Sequence, residues 1–197
     1  MRFAWTVSDV CPTYPSAQAD FLNYGRARYI EDHMSAPTKL IFFCGKMAAG
    51  KSTLAKKLAT QEHAVLLVQD DFLEALYPGE ITDVPTFVKC YARLKDALRP
   101  HICALLSKGL PVVLDFAANT KNQRTWFREL INHAMVDHEL HFVDVSDSLC
   151  KSQLRERRKS LPAEAKWTTD ADFDAINAYF EVPSEDEGFN VIRHERA

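Results

Sequence analysis

Gly45-Lys46-Met47-Ala48-Ala49-Gly50-Lys51-Ser52-Thr53 is the stretch that decides the fold. It has the form G-x-x-x-x-G-K-[ST], a phosphate-binding P-loop, and its flanks suit that reading. Leu40-Ile41-Phe42-Phe43-Cys44 before it is a short apolar run, expected as a buried strand. Ser52 to Thr60 after it predicts a helix, with Leu54, Ala55, Leu58 and Ala59 along one stripe. A sharp turn between strand and helix aims successive backbone N–H groups into one concavity. The helix N-terminus adds partial positive charge at the same point. A polyphosphate fits such a nest, with Lys51 reaching the outer phosphates and the Ser52 hydroxyl on Mg²⁺.

Working outward, Ala64-Val65-Leu66-Leu67-Val68 is a second strand, apolar throughout and so buried on both faces. It ends at Gln69-Asp70-Asp71, where Asp71 and Glu74 have the spacing of a capping pair for a short helix through Tyr77. Asp83 and Pro85 open the next helix, whose stripe is Phe87, Tyr91, Leu94 and Leu98. Pro100 predicts a kink or a new segment that ends at Gly109. Pro111 to Phe116 is a third strand, and Thr120 with Gln123 forms a capping box for a helix burying Phe127, Leu130, Ile131 and Ala134. Leu140 to Val145 is a fourth strand. A basic helix over Ser148–Lys159, a polar stretch to Asp170, a helix over Ala171–Phe180 and a fifth strand over Phe189–Arg193 complete the pattern.

Strands alternating with helices specify an α/β domain over 40–197, a parallel sheet wrapped on both faces. Residues 1–39 read as a separate N-terminal extension, broken by Pro12, Pro15 and Pro37, with a helix expected over Ala17–Asp32. Ligands of such sheets bind at the carboxyl ends of the strands. Gly45, Asp70, Asp115 and Val145 all fall there, so independent readings converge on one crevice.

Composition narrows the class. At 197 residues, 47% hydrophobic and 26% charged, the chain is an ordinary globular domain with no apolar run long enough to span a bilayer. Its five cysteines are scattered without a C-x-x-C, as expected of reduced thiols in a cytoplasmic protein. The seven histidines show no zinc spacing; His133, His138 and His141 are expected on a surface loop and a strand edge. A net charge of -3 gives no electrostatic reason for a nucleic-acid partner.

Four side chains carry the expected chemistry. Asp70, at a strand end shared with the P-loop, is placed to orient an acceptor hydroxyl and take its proton. Asp115 closes an apolar strand as a Walker B acid does. Beside Lys51 and Ser52 it would hold Mg²⁺ or bind the acceptor. Arg124 leads the buried face of its helix, three before Phe127, and is expected over the strand ends, facing the crevice. Arg157 follows Cys150 and Leu154 by seven and three residues, so it is expected to point inward and stabilise the moving phosphoryl group. Arg155 and Lys159 are expected to be solvated, and Arg158 stands between the two readings. Asn119 and Thr120 are within reach of an acceptor, though a cap accounts for Thr120. The polar stretch from 160 to 170 reads as a lid that excludes water.

With these residues assembled, the chain resembles the small P-loop kinases that include chloramphenicol phosphotransferase, zeta toxin and the polynucleotide 5′-hydroxyl kinase domain. The pieces that carry the likeness are Gly45 to Thr53, Gln69-Asp70-Asp71-Phe72, Val112-Val113-Leu114-Asp115, Asn119-Thr120 with Arg124, and Leu154-Arg155-Glu156-Arg157-Arg158. Within that class it is similar to a bacterial group of ATP-binding proteins with a C-terminal F-E-x-P-x-x-x-E-G segment. Here that segment is Phe180-Glu181-Val182-Pro183-Ser184-Glu185-Asp186-Glu187-Gly188. The resemblance implies a three-layer sandwich with strand order 2-3-1-4-5 and a helical lid in the region 150–170. It implies ATP and Mg²⁺ as cofactors and a nucleotide site over Gly45–Thr53 with Arg157 and Arg158. Asp70 then matches the acceptor-activating acid, Arg124 an acceptor-side or phosphate-side arginine, and Arg157 the lid arginine. Phe72 to Pro78 lacks the arginine that polynucleotide kinases often place there, which argues against a nucleic-acid acceptor. The expected function is phosphorylation of a hydroxyl on a small molecule. The alternatives are a nucleotide-sugar or polynucleotide 5′-hydroxyl kinase, and a nucleotide-gated interaction module without turnover.

Overall fold

The structure, a computed structural model, describes residues 38–160 and 169–196. The helix expected over Ala17–Asp32 and the middle of the expected lid, 161–168, lie outside the described residues. Strands β1 (Lys39–Cys44), β2 (Val65–Val68), β3 (Val112–Ala117), β4 (Asp137–Val145) and β5 (Val191–Arg196) form one parallel sheet in the order β2-β3-β1-β4-β5. Helices α1 (Lys51–Gln61), α2 (Gln69–Leu76), α3 (Val84–Ser107), α4 (Lys121–Ala134), α5 (Asp147–Arg158) and α6 (Asp170–Asn177) surround it. This is the α/β P-loop kinase fold. Among the described residues no helix is long and apolar enough to cross a membrane.

The two-residue period of the strands sorts the core into layers. Leu40 and Phe42 of β1 and Leu114 and Phe116 of β3 pack with Tyr91, Leu94 and Ile102 of α3 and Phe127 and Leu130 of α4. Phe42 stacks on Phe127 with ring centroids 4.4 Å apart, and its burial contributes about 2–3 kcal/mol. Ile41, Phe43 and Val113 point the other way, onto Ala55 and Ala59 of α1. That alternation fixes the site, because Asp115 follows Val113 by two and therefore emerges on the α1 face, where the Ser52 hydroxyl meets it.

Several local features depart from expectation. Pro100 predicts a kink or a new segment; no new segment starts there, and α3 is one helix with Pro100 inside it. Cys90, Tyr91 and Leu94 before the proline and Ile102, Cys103 and Leu106 after it are buried in one layer, while Pro100 lies on the solvent side. Continuous packing outweighs a proline cost of about 3 kcal/mol. Asp71 is not a cap: α2 starts at Gln69, straight off β2, so Asp70 and Asp71 both sit in its first turn, where the helix dipole favours them. β4 begins at Asp137, and β1 and β5 pair with it on either side, so it is internal and not an edge. His141 is accordingly buried, Nδ1 lying 2.8 Å from His194 Nε2 and Nε2 3.2 Å from Glu139.

Candidate functional site

The strand ends of β1, β2 and β3 open into a cavity of about 400 Å³. Met47 to Thr53 form its floor, Gln69, Asp70, Asp115, Phe116, Ala117 and Asn119 one wall, and Gln153, Arg157 and Ile176 the other. The loop takes its shape from backbone that few side chains tolerate. Gly50 caps α1 in the left-handed region at φ 97°, and Ala48 lies at φ 57°. A Cβ on Gly45 would meet the Val143 carbonyl oxygen at 2.7 Å, so only glycine lets β1 leave this close to β4.

Lys51 spans the inside of the loop. Its Nζ donates to Gly45 O at 2.6 Å and Lys46 O at 2.8 Å. The stem stays partly exposed while the ammonium is enclosed, and burial pushes its pKa down against the opposing field of Asp115. Asp115 shows the mirror effect: burial raises its pKa, opposed by the hydrogen bond from Ser52 and by the Lys51 charge. A desolvated cation and a desolvated anion thus face each other without a direct ion pair. Each would gain from a ligand that brings the opposite charge.

Mg²⁺ fits the chemistry of these donors. The Ser52 hydroxyl and the Asp115 carboxylate are hard oxygens already in contact. Among the described residues no group of three or more His, Cys, Asp or Glu is arranged to hold a metal ion. Mg²⁺ characteristically takes one or two protein oxygens and completes its shell with phosphate and water.

Gln69 organises the acid beside it. Its Oε1 accepts from Ala117 N–H at 3.1 Å, and its Nε2 donates to Asp70 at 3.4 Å, tying α2 to the end of β3. On the far wall Arg157 is exposed and lines the cavity, with Gln153 four residues before it on the same helical face. Arg155 pairs with Asp170 and Lys159 with Glu156, whereas Arg158 is exposed and away from the cavity.

The Lys46 side chain forms an ion pair with Asp147. One residue sits differently from expectation. Arg124 does not face the crevice. It is fully buried, and its Nε and Nη2 donate to the two carboxylate oxygens of Glu187 at 2.6 and 2.8 Å. The stripe that runs through Phe127 and Ile131 leads into the core on the α4 side of the sheet, so a residue heading it is carried inward with the stripe. Glu187, in the C-terminal F-E-x-P-x-x-x-E-G segment, is the other half of that pair.

Two side chains from distant segments also hold the loop. Asn119 Oδ1 accepts from Gly45 N–H at 3.0 Å, and Asn177 Oδ1 accepts from Met47 N–H at 3.2 Å. Nothing in spacing marks Asn177. Asn119, expected within reach of an acceptor, is bonded to the loop itself.

Among curated proteins none matches the sequence. Solved structures share the fold. A candidate kinase from Chloroflexus aurantiacus aligns at TM-score 0.65 with 20% identity, over 81% of this chain and 88% of that one. APS kinase CysC of Mycobacterium tuberculosis, in complex with AMPPNP and APS, aligns at 0.53 with 17% identity, over 82% and 91%. A chain of the Pnkp1/Rnl/Hen1 RNA repair complex aligns at 0.52 with 18% identity, over 74% of this chain and 47% of its own length. The sequence profile of the AAA_33 family, described as an AAA domain, matches residues 40–183, most of the chain, and with the P-loop kinase fold around that stretch the protein belongs to this family.

Proposed function

We propose that this protein is an ATP- and Mg²⁺-dependent phosphotransferase that phosphorylates a hydroxyl group of a small molecule. The observation that carries the reading is that Asp70, Asp115 and the adjacent Lys51 and Ser52, drawn from three places in the sequence, line one cavity floored by backbone amides. The amides and Lys51 hold the β- and γ-phosphates. Ser52 and Asp115 hold Mg²⁺, which when bound neutralises charge on the phosphate oxygens. Asp70 orients the acceptor hydroxyl and takes its proton as the new O–P bond forms. The bond from the γ-phosphorus to the bridging oxygen breaks and ADP leaves. Arg157, with no ion pair among the described residues, supplies a guanidinium to the transferring group from the opposite wall.

The charge pattern supports a small acceptor over a polyanion. Around the cavity Lys46, Lys151 and Arg155 are paired with Asp147, Asp174 and Asp170, so the basic helix α5 offers no unbroken positive track. The described cysteines are buried and outside any disulfide among the described residues, which supports a reducing compartment such as the cytoplasm. The test is a screen of hydroxyl-bearing metabolites and antibiotics for acceptor-stimulated ADP release. The expected result is turnover well above the acceptor-free background with one chemical class. Background rate with every acceptor, alongside tight MgATP binding, would favour a nucleotide-gated interaction module.

A further inference from the structure

Arg124 is a fully buried cation that the proposed transfer does not use. Beyond its two bonds to Glu187, its Nη1 donates to Ala118 O and Glu181 O, both at 3.0 Å. One guanidinium thus joins the loop after β3 to the segment 181–188. Glu187 is itself fixed there by the Ser184 N–H at 3.0 Å, and Arg128 donates to its carbonyl at 2.8 Å.

The junction that Arg124 closes contains Asn119. Glu181 N–H donates to Asn119 O at 2.9 Å, and Asn119 N–H donates to Gln123 Oε1 at 2.8 Å. With its backbone held on both sides, Asn119 presents its side-chain oxygen to Gly45 N–H at 3.0 Å. Gly45 has no room to retreat toward β4, where Val143 O already closes in. Its own carbonyl is one of the two oxygens that seat the Lys51 ammonium. A displacement at the 118–119 and 181 junction therefore reaches Lys51 through two hydrogen bonds.

We propose that the Arg124–Glu187 pair positions the phosphate-binding loop, acting on Gly45 through Asn119, so that docking of segment 181–188 sets the grip of the loop on nucleotide. The proposal rests on the nucleotide reading above. Packing alone does not require this pair, since apolar groups of similar volume often serve a buried site as well or better. A guanidinium fork reaches a carboxylate and two carbonyls on separate segments at once, which a lysine cannot do.

A double-mutant cycle on MgADP affinity separates this positioning role from general stability. Glu187→Gln and Asn119→Ala are each expected to weaken MgADP binding roughly tenfold, the size of one lost hydrogen bond. The double variant is expected to bind within about twofold of either single variant, because both act on Gly45 by one route. A loss of roughly a hundredfold in the double variant, or affinity within about twofold of wild type for Glu187→Gln, overturns the proposal. If Glu187→Gln does not fold, Glu187→Asp, which keeps the charge but shortens the reach, enters the same cycle with the same criteria. Hydrogen exchange of the Gly45 amide in the nucleotide-free protein supplies an independent reading: it should accelerate in both single variants, and unchanged exchange in the Glu187 variant overturns the proposal. Should wild type bind no MgADP, the nucleotide reading fails, and the amide exchange alone decides whether the link to Gly45 exists.

Discussion

Lys51 and Arg124 are both cations with an enclosed head group and a carboxylate nearby, and their bonding differs. Every nitrogen of Arg124 is bonded: Nε and Nη2 to two carboxylate oxygens, Nη1 to two carbonyls, with the Cys44 sulfur at 3.8 Å. The Lys51 ammonium rests on two backbone carbonyls, and Asp115 acts on it only through space. Lys51 lines the cavity at the strand ends, and Arg124 does not. Burial with charge is therefore a poor mark of function by itself. The informative quantity is whether the bonds of the buried group are already complete. A completed set holds the fold together, and an incomplete one beside open space is poised for a ligand.

The comparison breaks first, and most visibly, at Asp70. Asp70→Asn keeps size and hydrogen-bonding reach to Gln69 but removes the carboxylate proposed to accept the proton. Transfer is expected to fall by about 10²–10⁴, with MgADP affinity nearly unchanged. Steady-state kinetics with the best acceptor from the screen, set beside ADP titration, checks both halves. Retention of full turnover would remove Asp70 from the reaction. Arg124→Ala should show the opposite profile. It leaves Glu187 buried without its partner, a loss of about 3–5 kcal/mol in urea unfolding. Lys51→Ala should stay within about 1 kcal/mol of wild type in the same assay, since its ammonium completes no ion pair.

Much of this was legible in advance because strand-end chemistry is local. The glycine spacing of the P-loop, the apolar runs before Asp70 and Asp115, and the Thr120–Gln123 capping box each specify geometry within a few residues. Parallel topology then brings the strand ends together. Arg124 was misread because helical periodicity tells which side of a helix a residue shares, not what meets that side. Its partner Glu187 is 63 positions away, in a segment whose turn has no periodicity to read. Asn177 was illegible for the same reason: a contact 130 positions apart to a loop N–H leaves no local trace. Pro100 shows the converse, a strong local signal overruled by packing on both sides of it.

A pH series sharpens the contrast. Burial raises the pKa of Glu187, but the hydrogen bonds from Arg124 and Ser184 outweigh it and hold the carboxyl below its ordinary value of 4.5. A group with a depressed folded pKa contributes stability above its unfolded pKa and loses it as pH falls through the folded one. Wild type should therefore lose unfolding free energy as the pH drops below about 4.5, and Glu187→Gln should lose less over the same interval. Urea titrations at stepped pH measure the two slopes; parallel slopes would mean that the pair adds nothing in its charged form.

The smallest effect is the most discriminating, because it compares adjacent arginines of one helix. Arg157 and Arg158 share the last turn of α5, are both exposed, and carry the same charge. Only Arg157 lines the cavity. Long-range attraction of a nucleotide by a basic helix end would treat the two alike, since both lie within one Debye length of the site and salt screens both. Direct contact with the transferring group would not. Arg157→Gln should lower kcat by about tenfold or more, and Arg158→Gln should leave it within about twofold, at the same ionic strength. Equal losses that vanish together at high salt would return α5 to the reading of a solvated basic helix end and leave the phosphoryl group without a cation on that wall.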